Sequence, residues 1–206
     1  MPIIAKNAGK KRELAPQGNH VAICYKMIEL GTITDTFQGE DVTRHRVLLY
    51  WELSNELKDF DGSGKESPIS VSKEFTLSMN EKSTLRKMLE SWRGKAFTKD
   101  EANAFDITKL MGIPCMVNVI HVTSGTGNQY ENVSSITPLP KGMEKPTAVN
   151  KTVEFSIDGF EQSIFDTFPD FIKDKINSSA EMQEKDDSKE LESKLVEIIK
   201  EDDLPF

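Results

Sequence analysis

The stretch Val42-Thr-Arg-His-Arg-Val-Leu-Leu-Tyr-Trp-Glu-Leu53 alternates apolar and polar residues, which is typical of a β-strand with one buried face. One face carries Val47, Leu49, Trp51 and Leu53, and the other carries Arg44, Arg46, Tyr50 and Glu52. Apolar runs over residues 20–30, closed by Gly31, and over residues 68–77 flank this stretch. The pattern predicts three consecutive strands, with a flexible polar loop over residues 55–67.

Helical signals follow the third strand. Residues 83–92 have apolar positions at helical spacing, with Ser78 or Asn80 as the predicted N-cap and Gly94 as the stop. Thr98 and Glu101 have capping-box spacing, which predicts a second short helix. Residues 105–110 predict a further helical turn.

Two more strands are predicted at residues 113–122 and 129–136, joined by a hairpin turn at residues 124–128. The predicted order is therefore three strands, a helical insertion and two more strands. This is the order of a five-stranded OB-fold barrel, where a helix between strands 3 and 4 closes one end. The sequence therefore predicts a mainly β OB-fold domain over residues 19–140.

Three further segments surround this domain. Residues 1–18 form a predicted flexible basic arm, which carries Lys6, Lys10, Lys11 and Arg12. Residues 141–178 form a predicted extension that packs on the barrel and ends in a helix. Residues 179–206 form a predicted acidic linker and disordered docking tail, with a weak amphipathic helix through Leu191, Leu195 and Ile198.

The net charge of −8 is distributed unevenly. Residues 1–150 contain 19 Lys and Arg against 18 Asp and Glu, whereas residues 151–206 contain 7 Lys against 16 Asp and Glu. No apolar run is long enough for a membrane helix, and the N-terminus lacks a signal-peptide pattern. Cys24 and Cys115 suit buried free thiols in a reducing compartment, and the expected location is the cytoplasm.

Cations beside aromatic residues on one strand face favour sequence-tolerant binding of single-stranded nucleic acid, because cations neutralise phosphates and rings stack any base. Trp92 is expected in the core. The candidate DNA-binding residues are Arg44, Arg46, Tyr50, Lys73, Phe75, Arg86, Arg93 and Lys95.

The C-terminus ends in Asp202-Asp203-Leu204-Pro205-Phe206. Pro205 prevents a terminal helix and the carboxylates repel one another, so this tip has no role in folding. A hydrophobic tip on an acidic tail is typical of a peptide ligand for a partner protein. It is also expected to compete with DNA for the chain's own basic groove.

The tip resembles that of bacterial single-stranded DNA-binding proteins, which docks replication and repair enzymes. The body is similar to bacteriophage single-stranded DNA-binding proteins of the Enc34 type. That resemblance covers roughly residues 20–140, and more weakly the segment to Ser178. It implies an OB fold, a monomer or weak homo-oligomer, and a role in phage DNA replication or recombination in the bacterial host. The segments that carry it are Trp51-Glu-Leu-Ser-Asn-Glu56, Val71-Ser-Lys-Glu-Phe-Thr-Leu77, Glu81-Lys-Ser-Thr-Leu-Arg86, Leu89-Glu-Ser-Trp-Arg-Gly94 and Phe105-Asp-Ile-Thr-Lys-Leu110.

Enzyme motifs are absent from the sequence, so no catalytic residue, metal site or cofactor is predicted. Two alternatives remain open. One is a single-strand annealing or recombination-mediator protein, and the other is a metal-dependent nuclease. The nuclease would use Asp59, Asp61 and Glu66, which lie in a Gly- and Ser-rich loop that is poorly suited to hold metal ions.

Overall fold

The computed structural model of the chain describes residues 13–37, 39–185 and 187–188. Residues 1–12 of the predicted arm and residues 189–206 of the predicted tail, including its docking tip, lie outside this described part. Within these ranges the chain is mainly β, as the sequence predicted. The described helices include none that is long and apolar enough to cross a membrane.

Within the described residues, six strands form one sheet. They are β1 (Gly18–Phe37), β2 (Glu40–Asp59), β3 (Glu66–Thr76), β4 (Pro114–Thr123), β5 (Gln129–Pro138) and β6 (Val153–Phe155). The order is β3-β2-β1-β4-β5 with antiparallel neighbours, and β6 lies parallel to β1. The predicted succession of three strands, a helical insertion and two strands is confirmed.

The loop predicted over residues 55–67 is shorter than the sequence indicated. Strand β2 continues to Asp59 and β3 already begins at Glu66, so only a compact turn joins them. The Asp59 carboxylate accepts the backbone N–H groups of Gly62 and Gly64 at 2.7 Å each, so this side chain organises the turn.

Alternation along β2 places its apolar face in the main core, the larger apolar cluster, which strands β1 to β5 share with the helical insertion. Val47, Leu49, Trp51 and Leu53 are buried there, as their spacing predicted. The core also takes residues from β1, β3, β4 and β5. Both cysteines are buried free thiols, and burial raises the pKa of Cys115 to about 12. These thiols therefore act as small apolar core residues.

The hydrogen-bonded sheet does not close on itself. In the described part of the chain no ladder joins β3 to β5, so the predicted closed five-stranded barrel is not seen and the fold is an open sheet compatible with an OB-like fold. The Lys73 ammonium lies between the two edges and donates to the carbonyl of Val133. Side chains, including Val71 and Phe75 in the main core, therefore join the edges where a barrel would have a ladder.

The helical insertion consists of α1 (Thr84–Arg93), α2 (Lys99–Asn103) and a 3-10 turn at Ile107–Leu110. The N-cap of α1 is Ser83 rather than Ser78 or Asn80, and its hydroxyl accepts the N–H of Arg86 at 3.2 Å. Gly94 ends the helix at φ +69°, as predicted. Trp92 is buried in the main core, which confirms its predicted place.

A second apolar core lies on the outer face of β1 and β2. The extension supplies its far side through β6, α3 (Gln162–Phe165) and α4 (Asp170–Asn177). The Phe155 ring meets those of Phe160 and Phe168 at centroid distances of 5.5 and 5.2 Å. The buried members are Ile28, Leu30, Leu48, Phe155, Ile157, Phe165, Phe168, Ile172 and Ile176.

Packing of the extension continues past residue 178, where the sequence predicted a solvated linker. Ser179 is fully buried against β1 and the chain is helical again over residues 180–185. Glu181 accepts the N–H of Thr32 at 2.8 Å, and the Lys185 ammonium donates to the carbonyl of Ile157 at 2.6 Å. These polar contacts hold a segment whose composition alone resembles a linker.

Gly31 is predicted to be intolerant of a side chain. Its φ is +81°, and a Cβ there would lie 2.5 Å from Ser179 Cβ and 2.6 Å from Ile157 Cδ1. We expect Gly31→Ala to lower the free energy of unfolding by roughly 1–3 kcal/mol, through overpacking and positive-φ strain. Urea unfolding monitors the change, with Gly125→Ala as the matched control because no atom lies within 4 Å of its added Cβ. A Gly31→Ala protein as stable as the control would contradict this packing.

The capping box of α2 predicts a pH-dependent stability. Thr98 and Glu101 form the box, as the sequence predicted, and the Thr98 N–H, Lys95 and Arg93 together lower the pKa of Glu101 to about 2. Because the unfolded carboxyl titrates near 4.5, this stabilisation is present above about pH 4.5 and is lost as the pH falls towards 2.

Glu101→Gln keeps the capping geometry and removes the charge. We expect its melting temperature to lie below that of the wild type above pH 5 and to converge with it near pH 2. Thermal melts across this range measure the difference, and Glu81→Gln on the surface before α1 is the control. Parallel curves for wild type and Glu101→Gln would refute the ionic part of the box.

Candidate nucleic-acid interface

A groove runs along the outer face of β2 and β3. One section of about 800 Å³ is lined by Tyr50, Phe60, Ser70 and Asn150 among others. A second section of about 770 Å³ is bounded by Leu14, Ser72 and the β4–β5 hairpin. Ser70 and Ser72 are two residues apart on β3 and project from the same face, so we interpret the two sections as one candidate groove.

The floor of the groove combines hydroxyl groups with aromatic surface. The Tyr25 hydroxyl donates to Ser70 Oγ at 3.1 Å, and the rings of Tyr25 and Tyr50 are 6.3 Å apart. The Lys26 ammonium lies 5.6 and 5.2 Å from these two ring centroids. Burial lowers the pKa of Lys26 and raises that of Tyr25. The Tyr25 hydroxyl therefore stays protonated at neutral pH and acts as a fixed donor.

Two exposed aromatic side chains stand at the ends of the groove. Phe60, in the β2–β3 turn, is 63% exposed, and Tyr130, next to the β4–β5 turn, is 46% exposed. Both lie on polar hairpins, outside the two apolar cores. Rings in such positions present a flat surface on which a base can stack.

Lys58, which lines the groove, and Lys73, which points inward from β3, are both engaged within the protein. Lys58 pairs with Glu13 and lowers the pKa of that carboxyl. Lys73 donates to the Val133 carbonyl, and burial lowers its pKa. Glu13 and Leu14 line the groove, so the basic arm of residues 1–12 joins the described chain at the groove edge.

The arginines of β2 lie farther along the strand than the groove. Arg46 is ion-paired with Asp35 and, at 2.8 Å, with Glu74, and Lys175 of α4 contacts the same Glu74 at 2.6 Å. Arg44 is half-buried on the same strand. The structure thus puts Tyr50 in the groove wall and Arg46 beside α4.

Lys73 and Phe75 point into the protein from β3. Phe75 is 3% exposed within the main core, and the Lys73 ammonium lies 5.8 Å from its ring centroid. A base cannot stack on a ring that is covered on both sides. This burial removes Phe75 from the candidate interface.

The three cations of the helical insertion do not line the groove. Arg86 donates to Glu90 at 3.0 Å and to the Met79 carbonyl at 3.1 Å. The Arg93 guanidinium lies 4.0 Å from the Phe97 ring centroid and also pairs with Glu101. Lys95 is exposed but contacts the same Glu101 at 3.0 Å. These contacts hold α1 and α2 together.

Sequence reasoning missed the groove residues Phe60 and Tyr130, and also Tyr25 and Lys26, which contact Tyr50 of the groove wall. A signal was present for two of them. Phe60 stands in the polar run Asp59-Phe-Asp-Gly-Ser-Gly64, and Tyr130 follows a Gly- and Asn-rich turn. An aromatic residue within a turn has no core partner nearby in sequence, so it indicates a surface contact.

The carboxylates of the β2–β3 turn are used for backbone contacts. Asp59 accepts N–H groups within the turn, and Asp61 accepts that of Ser63 at 3.0 Å. Across the described ranges no group of three or more His, Cys, Asp or Glu side chains is arranged to hold a metal ion.

No protein-family model, curated protein or solved structure matches this chain. The functional assignment therefore depends on the geometry of the groove and on the sequence.

Proposed function

We propose that the chain binds and protects single-stranded DNA, without regard to sequence, through the groove on β2 and β3. The observation that carries this proposal is the pair of exposed rings, Phe60 and Tyr130, at the two ends of a groove walled by Tyr50. Unstacked bases are available only in single strands, so an aromatic groove favours them over duplex.

The sheet order supports an OB-fold assignment for this proposal. OB folds bind oligonucleotides on the face of strands 2 and 3, beside the loops that join strands 1 to 2 and 4 to 5. Tyr50 lies on β2, Ser72 lies on β3, and Tyr130 stands next to the β4–β5 loop. The candidate groove shares the face of strands 2 and 3 and the β4–β5 loop with that position, whereas Phe60 lies on the β2–β3 turn, at the other end of β2 from the β1–β2 turn.

Binding in this proposal is passive. Bases stack on Phe60 and Tyr130, each contributing about 1–3 kcal/mol. Serine and tyrosine hydroxyls of the floor form hydrogen bonds with sugars and base edges. The basic arm supplies phosphate contacts, because Lys58, which lines the groove, is already paired with Glu13. No step breaks a covalent bond.

The resemblance to phage single-stranded DNA-binding proteins gives this activity its setting. The protein acts in phage DNA replication and recombination, in the cytoplasm of the bacterial host, as a monomer or weak homo-oligomer. The tip from Asp202 to Phe206 recruits partner enzymes of those processes and limits DNA binding. Its acidic side chains repel phosphates, and its terminal ring fits a pocket on a partner.

Removing both exposed rings is expected to weaken binding. Phe60→Ala with Tyr130→Ala deletes two stacking surfaces, so we expect at least a tenfold rise in the Kd for labelled oligo-dT. Fluorescence titration gives the Kd, and a duplex of the same length measures strand preference.

Phe171→Ala is the matched control for that pair. Phe171 is 62% exposed but lies on α4, so its removal is expected to leave the Kd unchanged. Equal affinity of the double variant and the control, with normal melting curves, would eliminate the aromatic groove as the binding site.

The arm is expected to carry most of the salt dependence. A version that begins at Glu13 lacks four cations, and each lost phosphate contact reduces the log–log salt slope by about 0.7. We expect the slope to become shallower by about 2–3, with weaker binding at low salt and similar binding at high salt. Oligo-dT titrations across a salt series measure this.

A version ending at Lys200 serves as the opposite control in the same series. It loses the acidic tip, so we expect tighter binding at low salt. An unchanged slope in the version that begins at Glu13 would show that the phosphates are contacted elsewhere.

A further inference from the structure

A second, apolar groove is lined in part by Phe155 of β6, which also belongs to the second core. It encloses about 260 Å³ between β1, β2, the 3-10 turn and β6. Its apolar lining comes from Met27, Val47, Leu77, Phe105, Ile107 and Phe155. Leu77 is 38% exposed there, and the side chains of Phe105 and Ile107 are only half-buried.

The rim of this apolar groove is acidic. Asp106 and Glu154 are exposed at its edges, and Glu29 lies deeper, where it accepts the N–H of Ile157 at 2.8 Å. An occupant therefore needs apolar side chains to fill the groove and a cation to face the rim.

The described chain ends close to this groove. Lys185 donates to the carbonyl of Ile157, whose neighbours Phe155 and Ser156 line the groove. Residues 189–206 follow, so the chain has 18 further residues beyond Ser188. Three residues span at most about 10 Å and seven at most about 25 Å. Leu191 and Leu195 can therefore lie no farther than this from Ser188, at the end of the segment that Lys185 joins to Ile157.

The sequence of this segment suits the groove. Leu191, Leu195 and Ile198 share one stripe at helical spacing, and Lys194 borders that stripe. The terminal tip suits it poorly, because Asp202 and Asp203 would face the acidic rim.

We infer that residues 189–200 dock into the apolar groove, with Leu191 and Leu195 inside it and Lys194 towards the acidic rim. Docking anchors the base of the tail against β6 and leaves residues 201–206 projecting. It needs no DNA, so it stands independently of the proposed function.

Hydrogen–deuterium exchange on the full chain tests this docking. Leu191→Ser with Leu195→Ser is expected to raise exchange at residues 189–200 at least tenfold, and to raise exchange at residues 105–110 to the level of a version ending at Ser188. Lys194→Glu is expected to raise exchange at residues 189–200 several-fold. Leu204→Ser in the tip is the matched control and is expected to change neither segment.

Two results would overturn the inference. One is equal exchange at residues 105–110 in the full chain and in the version ending at Ser188. The other is protection of residues 105–110 that disappears on dilution, together with light scattering that shows a dimer before dilution. A second copy of the chain would then fill the groove. All variants alter residues outside the described part of the fold, so melting curves equal to wild type confirm that a change in exchange is local.

Discussion

The Glu52 carboxylate is fully buried on the outer face of β2, and its partners determine how the rest of the chain crosses the sheet. It accepts the backbone N–H groups of Val149 and Asn150 at 2.8 Å each, and the side-chain amide of Asn150 at 2.7 Å. A buried carboxylate without such partners costs several kcal/mol, so β2 can bury Glu52 only where residues 149–150 lie over it. The crossing then directs the chain to β6 and the second core.

This crossing divides the outer face of the sheet into two parts. On one side the apolar residues Ile28, Leu30 and Leu48 are covered by the extension. On the other side Tyr50 and Ser70 remain open as the groove, and Asn150 itself forms part of the groove wall. The extension is thus a structural part of the candidate interface, because it closes one half of a face that a bare five-stranded sheet would leave open.

Local sequence signals predicted most elements of the fold. Alternation in β2, the capping box at Thr98 and Glu101, and the stop at Gly94 depend on neighbours within a few residues, so they can be read from one segment. The role of Glu52 could not be predicted in this way, because a polar residue on an alternating strand indicates a solvated face. Its partners lie 97 and 98 residues away.

The same dependence on distant partners explains why the sequence predicted only part of the candidate site. Arg46 and Arg93 looked like free surface cations, but Arg46 pairs with Glu74 on the next strand and Arg93 with Glu101 on the next helix. Tyr50 was found because it shares a face with polar residues of its own strand. Phe60 was missed because it lies in a turn that strand and helix patterns leave out, and Tyr130 because it is the second residue of a strand whose pattern says nothing about exposure at the strand end.

Internal pairing of the cations also decides how the acidic tail would limit DNA binding. A tail competes by occupying a groove only if the groove offers unpaired positive charge, and here Lys58, which lines the groove, is paired with Glu13. The tail would then limit DNA binding through its repulsion of the phosphates and through its attraction to the basic arm. Both act over about 10 Å at 0.1 M salt and weaken as salt rises. Stacking on uncharged rings is insensitive to salt, so the tail would regulate the approach of DNA and leave the stacked complex largely unaffected once it has formed.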